Sequence, residues 1–314
     1  MNHLLTLSDW TPGDIMKTLD MARDIKAHPD KYAGAMNRRT LLMIFEKPSL
    51  RTRISFETGM TRMGGHAIYY DMSTSPMGAG KETLHDTVKT AARYVDLIMA
   101  RLFKHAHIIE FAQHSDVPVI NALTDYAHPC QIMADLLTIL EKKGRLKGLK
   151  VAYMGDSNNN VTHSLMLGCA MTGADISIGC PEGTDYEPRK DVFDEARRFA
   201  SDLGTTITIT HDAGEAADGA DVIYTDSWMS YHIPKSKLDE RISLFKPYQV
   251  NPDLMSKAAS GAIFMNCLPA MRGYEQTEEV IDGPQSVVFD QAENRMHAQN
   301  AIMISLLKNA GRME

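Results

Sequence analysis

Two arginines and two hydroxyl residues stand together in "SLRTR", Ser49 to Arg53, directly behind the apolar run "LLMIF" at Leu41 to Phe45. An apolar run followed at once by serine is the pattern of a strand that turns into a capped helix. A helix N-terminus carries unpaired backbone N–H groups and about half a positive charge, so it binds phosphate groups readily. Here Ser49 is the cap, the N–H groups of Leu50, Arg51 and Thr52 point outward, and Arg51 and Arg53 add forked donors. The arrangement predicts a cradle for a phosphate. The same residues also describe an ordinary capped helix with solvated arginines, so the motif needs partners.

Partners are present at two further strand ends. Arg101 closes the apolar run "DLIMA", and an arginine placed directly after so apolar a strand calls for an anion. "HPCQ", His128 to Gln131, follows the apolar run "VPVINAL" (Val117 to Leu123) after a short connection, which brings an imidazole and an amide to the same sheet edge. A lone histidine beside proline is by itself an ordinary loop residue. Three strands that aim cationic or hydrogen-bonding groups at one edge are not.

The elements that must hold these residues follow from periodicity. A capped helix carries Ile15, Leu19, Met21 and Ile25 on one side, and a second, from Ser49, carries Phe56, Met60 and Met63 before Gly64 and Gly65 stop it. "HAIYYD" reads as a strand, "STSPMGAGKE" as a loop, "TLHDTVKTAARYV" as a helix, and a further helix spans Ile132 to Lys143. After the turn "KKGRLKG" the pattern restarts with strands at "KVAYMGD", "DISIGCP", "TITITHD", "DVIYTD" and "GAIFMNCLP". Between them lie helices at "THSLMLGCAMTG", "VFDEARRFASDLG" and "AGEAADGA", and "AENRMHAQNAIMISLLKNAG" forms the last helix. Strand and helix alternate throughout, so the fold class is α/β with two doubly wound parallel-sheet domains and a cleft between them. Gly155 directly after a strand marks a place where ligands approach such sheets, but no GxGxxG follows, and a dinucleotide is not indicated.

The length of 314 residues suits two domains of about 150 residues each. Their boundaries fall at 1–133, completed by the C-terminal helix 292–314, and at 148–291. A net charge of −7 with dispersed lysine and arginine excludes non-specific nucleic-acid binding and a basic membrane-surface helix, so any anion site must be local. The four cysteines, Cys130, Cys169, Cys180 and Cys267, form no CxxC pair and no zinc spacing, which favours reduced thiols and no metal. The N-terminal stretch lacks the charged start and apolar core of a signal peptide, and no run reaches the roughly 18 apolar residues of a membrane span. A cytoplasmic location is expected.

Taken together, "SLRTR", "HPCQ" and the C-terminal "ENRMHAQ" resemble the "SxRTR", "HPxQ" and "ENRxHAQ" elements of the aspartate and ornithine carbamoyltransferase family, in its order and over essentially the whole chain. The resemblance implies transfer of a carbamoyl group from carbamoyl phosphate to an amine, with no metal or organic cofactor, by a homotrimer or a multiple of trimers. By motif position it implies a donor site of Ser49, Leu50, Arg51, Thr52, Arg101, His128, Gln131, Cys267, Leu268 and Arg295. Arg51, Arg101, His128 and Cys267 would then be catalytic. It also implies a residue lent by a neighbouring subunit, for which Lys81 in "SPMGAGKE" is the candidate where ornithine-type members have glutamine.

Three segments bear on the acceptor. "NCLP" (Asn266 to Pro269), "GDSNNNVTHS" and "TDSWMS" resemble the ornithine-type "HCLP", "GDxxNNxxHS" and "TDxWxS". They imply Asn160 on the α-carboxylate of ornithine, Asp226 on its α-ammonium, and Ser230 and Tyr231 in the closing loop. The expected reaction makes citrulline and phosphate, which places it in arginine metabolism. Leu50 stands where threonine is usual, Asn266 where histidine is usual, and "SYH" (Ser230 to His232) where ornithine-type members have "SMG". The last change leaves putrescine or another amine open as acceptor. A non-catalytic homologue is the remaining alternative, and it would have lost some of Arg51, Arg101, His128 and Gln131.

Overall fold

The apolar runs read as strands form two parallel sheets in a computed structural model that describes residues 3–229 and 233–313. The chain divides into two compact units, one of Met1–Leu137 with Glu293–Glu314 and one of Thr138–Ala292.

In the first unit the order is α1 (Pro12–Ala27), β1 (Thr40–Phe45), α2 (Leu50–Arg62), β2 (His66–Asp71), α3 (Leu84–Ala91), β3 (Leu97–Arg101), α4 (His105–His114), β4 (Val119–Leu123) and α5 (Pro129–Lys143), which runs past the division. The four strands lie in the order β2-β1-β3-β4 and all pair in parallel. Sequence order reverses between β1 and β3. In an open parallel sheet that reversal opens a crevice beyond the carboxyl ends of the strands, where ligands bind. "SLRTR" leaves β1 and Arg101 ends β3, so the topology alone brings both to this crevice.

Packing holds the cradle in place. Ile44, Ile98, Ala100 and Val119 of the sheet bury against Ile108 and Phe111 of α4 and Val88 of α3. Gly59 is the close-approach point of α2, since a Cβ there would stand 2.1 Å from Oδ1 of Asn300 in the C-terminal helix. Helix α4 has no sequence-level start signal, because Lys104 at its N-cap makes no side-chain cap bond.

The second unit contains β5 (Lys150–Met154), α6 (Asn160–Thr172), β6 (Asp175–Gly179), α7 (Lys190–Leu203), β7 (Ile207–Thr210), α8 (Ala213–Ala217), β8 (Val222–Thr225), α9 (Leu238–Phe245), α10 (Pro252–Lys257), β9 (Ile263–Asn266), α11 (Glu278–Ile281) and the start of α12 (Val288–Asn309). Its five strands run β7-β6-β5-β8-β9, again all parallel. The reversal here falls between β5 and β8, so the segments after Met154 and after Thr225 share the crevice. Oγ1 of Thr225 donates to the Met154 carbonyl at 2.8 Å and ties the two exits together. Gly155 has φ +116°, and a Cβ on it would lie 2.9 Å from Nε1 of Trp228, so both the turn and the indole require glycine. Helices α5, α6 and α12 start a few residues earlier than periodicity suggests, and the short α9, α10 and α11 carry no periodic signal of their own. No helix of the described residues is long and apolar enough to cross a membrane.

Candidate active site

The site residues gather in two groups, one in each unit. In the first, Ser49 caps α2 in extended geometry, with Oγ accepting from the Thr52 N–H at 3.3 Å and donating to Thr52 Oγ1 at 3.1 Å. That bond is local, whereas Thr52 Oγ1 also accepts from Nη2 of Arg295 at 3.3 Å. Arg295 donates through Nη1 to Gln131 Oε1 at 2.7 Å, and Gln131 donates through Nε2 to Asp135 at 2.8 Å. A continuous network thus joins the helix cap after β1, the first turn of α5 and the middle of α12.

Gln299 completes it. With its amide oriented so that Oε1 faces the guanidinium, it accepts from Nη2 and Nε of Arg295 at 3.0 and 3.3 Å and donates to Ser55 Oγ at 2.6 Å. Arg295 is only 3% exposed, so its forked bonds fix Thr52 and Gln131 with little competition from water.

His128 is buried at the start of α5. Burial pushes its imidazole well below the usual histidine range, and the positive charges of Arg295, Arg101 and Lys47 push it the same way. The ring is therefore neutral at ordinary pH, with one nitrogen donating and one accepting. The same electrostatics gather three cations around one imidazole, which is the field an anionic donor needs. The turn before His128 is pinned by Asn121, whose amide donates to the carbonyls of Leu5 and Ala127 and accepts from the Leu123 N–H. Glu46 links the exits of β1 and β3: its N–H donates to the Arg101 carbonyl at 3.0 Å and its carboxylate accepts from the Phe103 N–H at 2.7 Å.

One residue of the "SLRTR" run is placed otherwise than the motif suggests. Arg53 turns to Glu57, at 3.0 Å, and lies over the Tyr69 ring at 4.0 Å, so it is not a forked donor of the cradle. Leu50 is 71% exposed, which leaves its backbone N–H as its contribution at the helix start. Lys81 is exposed in the loop between β2 and α3.

In the second unit, Asn159 caps α6 and makes Asn160 its first helical residue. The Asn159 side chain accepts from the N–H groups of Val161 and Thr162 and donates to the Asp156 carbonyl and the Tyr153 hydroxyl. Asp226 follows β8 and accepts from the Cys267 thiol at 3.2 Å. Asn266 holds the turn that presents Cys267: its Oδ1 accepts from the Leu268 N–H at 2.8 Å and its Nδ2 donates to Gln276 at 3.1 Å. Leu268 takes a positive φ of 55° in that turn. Ser230 and Tyr231 lie outside the described residues.

Three carboxylates converge on these strand exits. Burial pushes the Asp156 carboxyl up, the paired Arg241 guanidinium pulls it down, and Asp226 adds a smaller upward push. Burial raises Glu275 as well, opposed by N–H bonds and helped by Asp226. Gln299 closes the "ENRMHAQ" run noted in the sequence, whereas Asp135, Lys47, Arg241 and Glu275 were not singled out there. Asp135 carried a signal, since it stands four helical positions after Gln131 and so shares its face.

Comparisons with known proteins agree in kind over both units. The model "Aspartate/ornithine carbamoyltransferase, carbamoyl-P binding domain" matches residues 2–141, and "Aspartate/ornithine carbamoyltransferase, Asp/Orn binding domain" matches 147–306. An ornithine carbamoyltransferase of Pyrococcus horikoshii is 47% identical over 306 residues, covering 97% of this chain and 95% of the relative. One of Carboxydothermus hydrogenoformans is 48% identical over 305 residues, covering 96% of each. Among solved structures, ornithine carbamoyltransferase from Pyrococcus furiosus superposes with a TM-score of 0.92 at 46% identity, over 96% of both chains.

Proposed function

The chain belongs to the aspartate/ornithine carbamoyltransferase family, and from that premise we propose that it transfers the carbamoyl group of carbamoyl phosphate to the δ-amine of L-ornithine, giving L-citrulline and phosphate. The observation that carries the choice of acceptor is the convergence of Asp226, Asp156 and Glu275 at the strand exits of the second unit, with Arg241 already paired to Asp156. Ornithine brings ammonium groups to that field. Aspartate would bring a second carboxylate into it, and Arg241, the guanidinium at these exits, is taken by Asp156. The relatives named ornithine carbamoyltransferase at 46–48% identity favour the same acceptor over putrescine.

In this reading the first unit, near residues 1–133 with 292–314, binds carbamoyl phosphate, and residues 148–291 bind the amine. The N–H groups of Leu50, Arg51 and Thr52, the Ser49 hydroxyl and the Arg51 guanidinium take the phosphate. Arg101, Thr52 and neutral His128 donate to the carbamoyl oxygen, and Gln131, held by Arg295, takes the carbamoyl amide. Asn160 and Asp226 hold the amino-acid end of ornithine, with Ser230 and Tyr231 in the closing loop, while Cys267 and Leu268 border the carbamoyl group. The δ-nitrogen then bonds to the carbamoyl carbon, the bond from that carbon to the phosphate oxygen breaks with its electron pair, and the proton lost by the nitrogen ends on the departing phosphate. Negative charge that develops on the carbamoyl oxygen meets donors already oriented by the protein, which is where rate is gained. A free alkylamine is protonated at neutral pH, so the site must also favour its neutral form.

The proposal includes a cytoplasmic homotrimer serving arginine metabolism, in which Lys81 reaches the donor site of a neighbouring subunit. Mixed trimers of Lys81→Ala and Arg51→Ala chains should then recover part of the activity that each lacks alone. The reaction itself is tested by incubating the protein with carbamoyl phosphate and ornithine, aspartate or putrescine and identifying the product by mass. Citrulline from ornithine is the expected product, and carbamoylation of aspartate or putrescine alone would overturn the assignment.

A further inference from the structure

Two loops of the second unit carry the residues that meet at the acceptor side: Asp226 on the segment after β8, and Cys267 on the segment after β9. A third residue spans both. One carboxylate oxygen of Glu275 accepts from the Trp228 N–H at 3.2 Å, and the other accepts from the Met271 N–H at 2.9 Å. Trp228 lies two residues beyond Asp226 and Met271 four beyond Cys267, so Glu275 fixes the two loops against each other at a short lever arm from the Asp226–Cys267 contact. Glu275 is 1% exposed, and its own backbone carbonyl accepts from the Val250 N–H at 2.9 Å, so the backbone that carries the carboxylate is itself anchored.

The Trp228 backbone is also held through its carbonyl. Its carbonyl accepts from Nε of Arg241 at 2.5 Å, and that guanidinium also pairs with Asp156 on the exit of β5. The indole stacks on Phe245 at 5.8 Å, and Arg241 lies over the same ring at 4.8 Å. One residue, Trp228, thus joins all three strand exits that face the crevice, and Glu275 is its link to β9.

We infer that Glu275 is a positioning residue for acceptor recognition, which sets the separation of Asp226 and Cys267 by clamping their two loops through the Trp228 and Met271 N–H groups. A buried carboxylate between two N–H groups suits this role because it is acceptor-only, with both oxygens equally able to receive. Glutamine at this position offers one acceptor oxygen and turns its NH2 toward the other N–H, so one half of the clamp opens with little change in volume. Aspartate keeps both acceptors on a stem shorter by one methylene.

This inference deepens the ornithine reading and rests on it, so the wild-type protein is assayed first: absence of ornithine turnover overturns that reading, not the clamp. With turnover in hand, Glu275→Gln should raise the ornithine KM about tenfold and leave the carbamoyl phosphate KM within about twofold, as expected for one lost hydrogen bond to a charged group. Glu275→Asp should recover part of the loss. The alkylation rate of Cys267 by iodoacetamide, read site by site by mass spectrometry in the native protein, should change several-fold in Glu275→Gln, because the thiol no longer rests on Asp226. Unchanged ornithine KM and unchanged Cys267 reactivity in Glu275→Gln would overturn the inference. So would a parallel rise in both KM values. If Glu275→Gln does not fold, the same two readings on Glu275→Asp decide the question.

Discussion

The Cys267 thiol donates to Oδ1 of Asp226 at 3.2 Å, across two loops that leave different strands of one sheet. The contact orients the Asp226 carboxylate at the place where the second sheet's strand order reverses.

Replacement of Asp226 by asparagine removes the charge and keeps the shape. The ornithine KM should rise roughly 10- to 100-fold, the range of a lost hydrogen bond between charged partners. Carbamoyl phosphate binding should stay the same. Steady-state kinetics with each substrate varied in turn checks this, and an unaltered ornithine KM would remove Asp226 from the acceptor site.

The two arginines of "SLRTR" should separate cleanly. Arg53 is engaged by Glu57 and Tyr69, so Arg53→Ala should leave the carbamoyl phosphate Kd within about threefold, as for an exposed pair. Arg51→Ala removes a forked phosphate donor and should weaken binding by about 30-fold. Calorimetric titration with carbamoyl phosphate distinguishes them, and equal losses would contradict the assignment.

His128 should remain neutral. Its pKa is held well below the ordinary 6.5, first by burial and then by Arg295, Arg101 and Lys47. The sign follows from linkage: below the unfolded value the unfolded chain takes up a proton that the folded chain refuses. The contribution is complete above pH 6.5 and is lost as pH falls from there toward the depressed folded value. Carbon-13 NMR of the labelled ring should show no titration between about pH 6 and 9, and a midpoint inside that window would contradict the buried neutral form.

Asn266→Ala should leave the half-buried Leu268 N–H and the buried Gln276 side chain without their partner. A cost of about 1–3 kcal/mol is expected, read as a fall of several degrees in Tm by calorimetry. An unchanged Tm would show that the turn needs no such brace.

Much of this was visible in the sequence because its signals are local. "SLRTR" names its own cap, and the buried strands read as continuous apolar runs since both faces of a parallel sheet are covered. What escaped is set by partners distant in the chain. Nothing near Arg53 distinguishes it from Arg51 until β2 brings Tyr69 beneath it. Glu275 sits in the unremarkable stretch "RGYEQT", and only the fold brings it to Trp228. Arg241 lies in α9, too short for a periodic pattern to show. Asn266 is similar: from sequence it is a departure from histidine, whereas the fold gives it the Leu268 turn to hold.

The acceptor is the central claim, and the ratio of kcat/KM for ornithine to that for putrescine, each with saturating carbamoyl phosphate, tests it most directly. A site built to hydrogen-bond the α-amino and α-carboxylate groups rejects an analogue that lacks them by about 10⁴, so ornithine should lead by a factor of that order. Equal values, or a higher value for putrescine, would contradict the account.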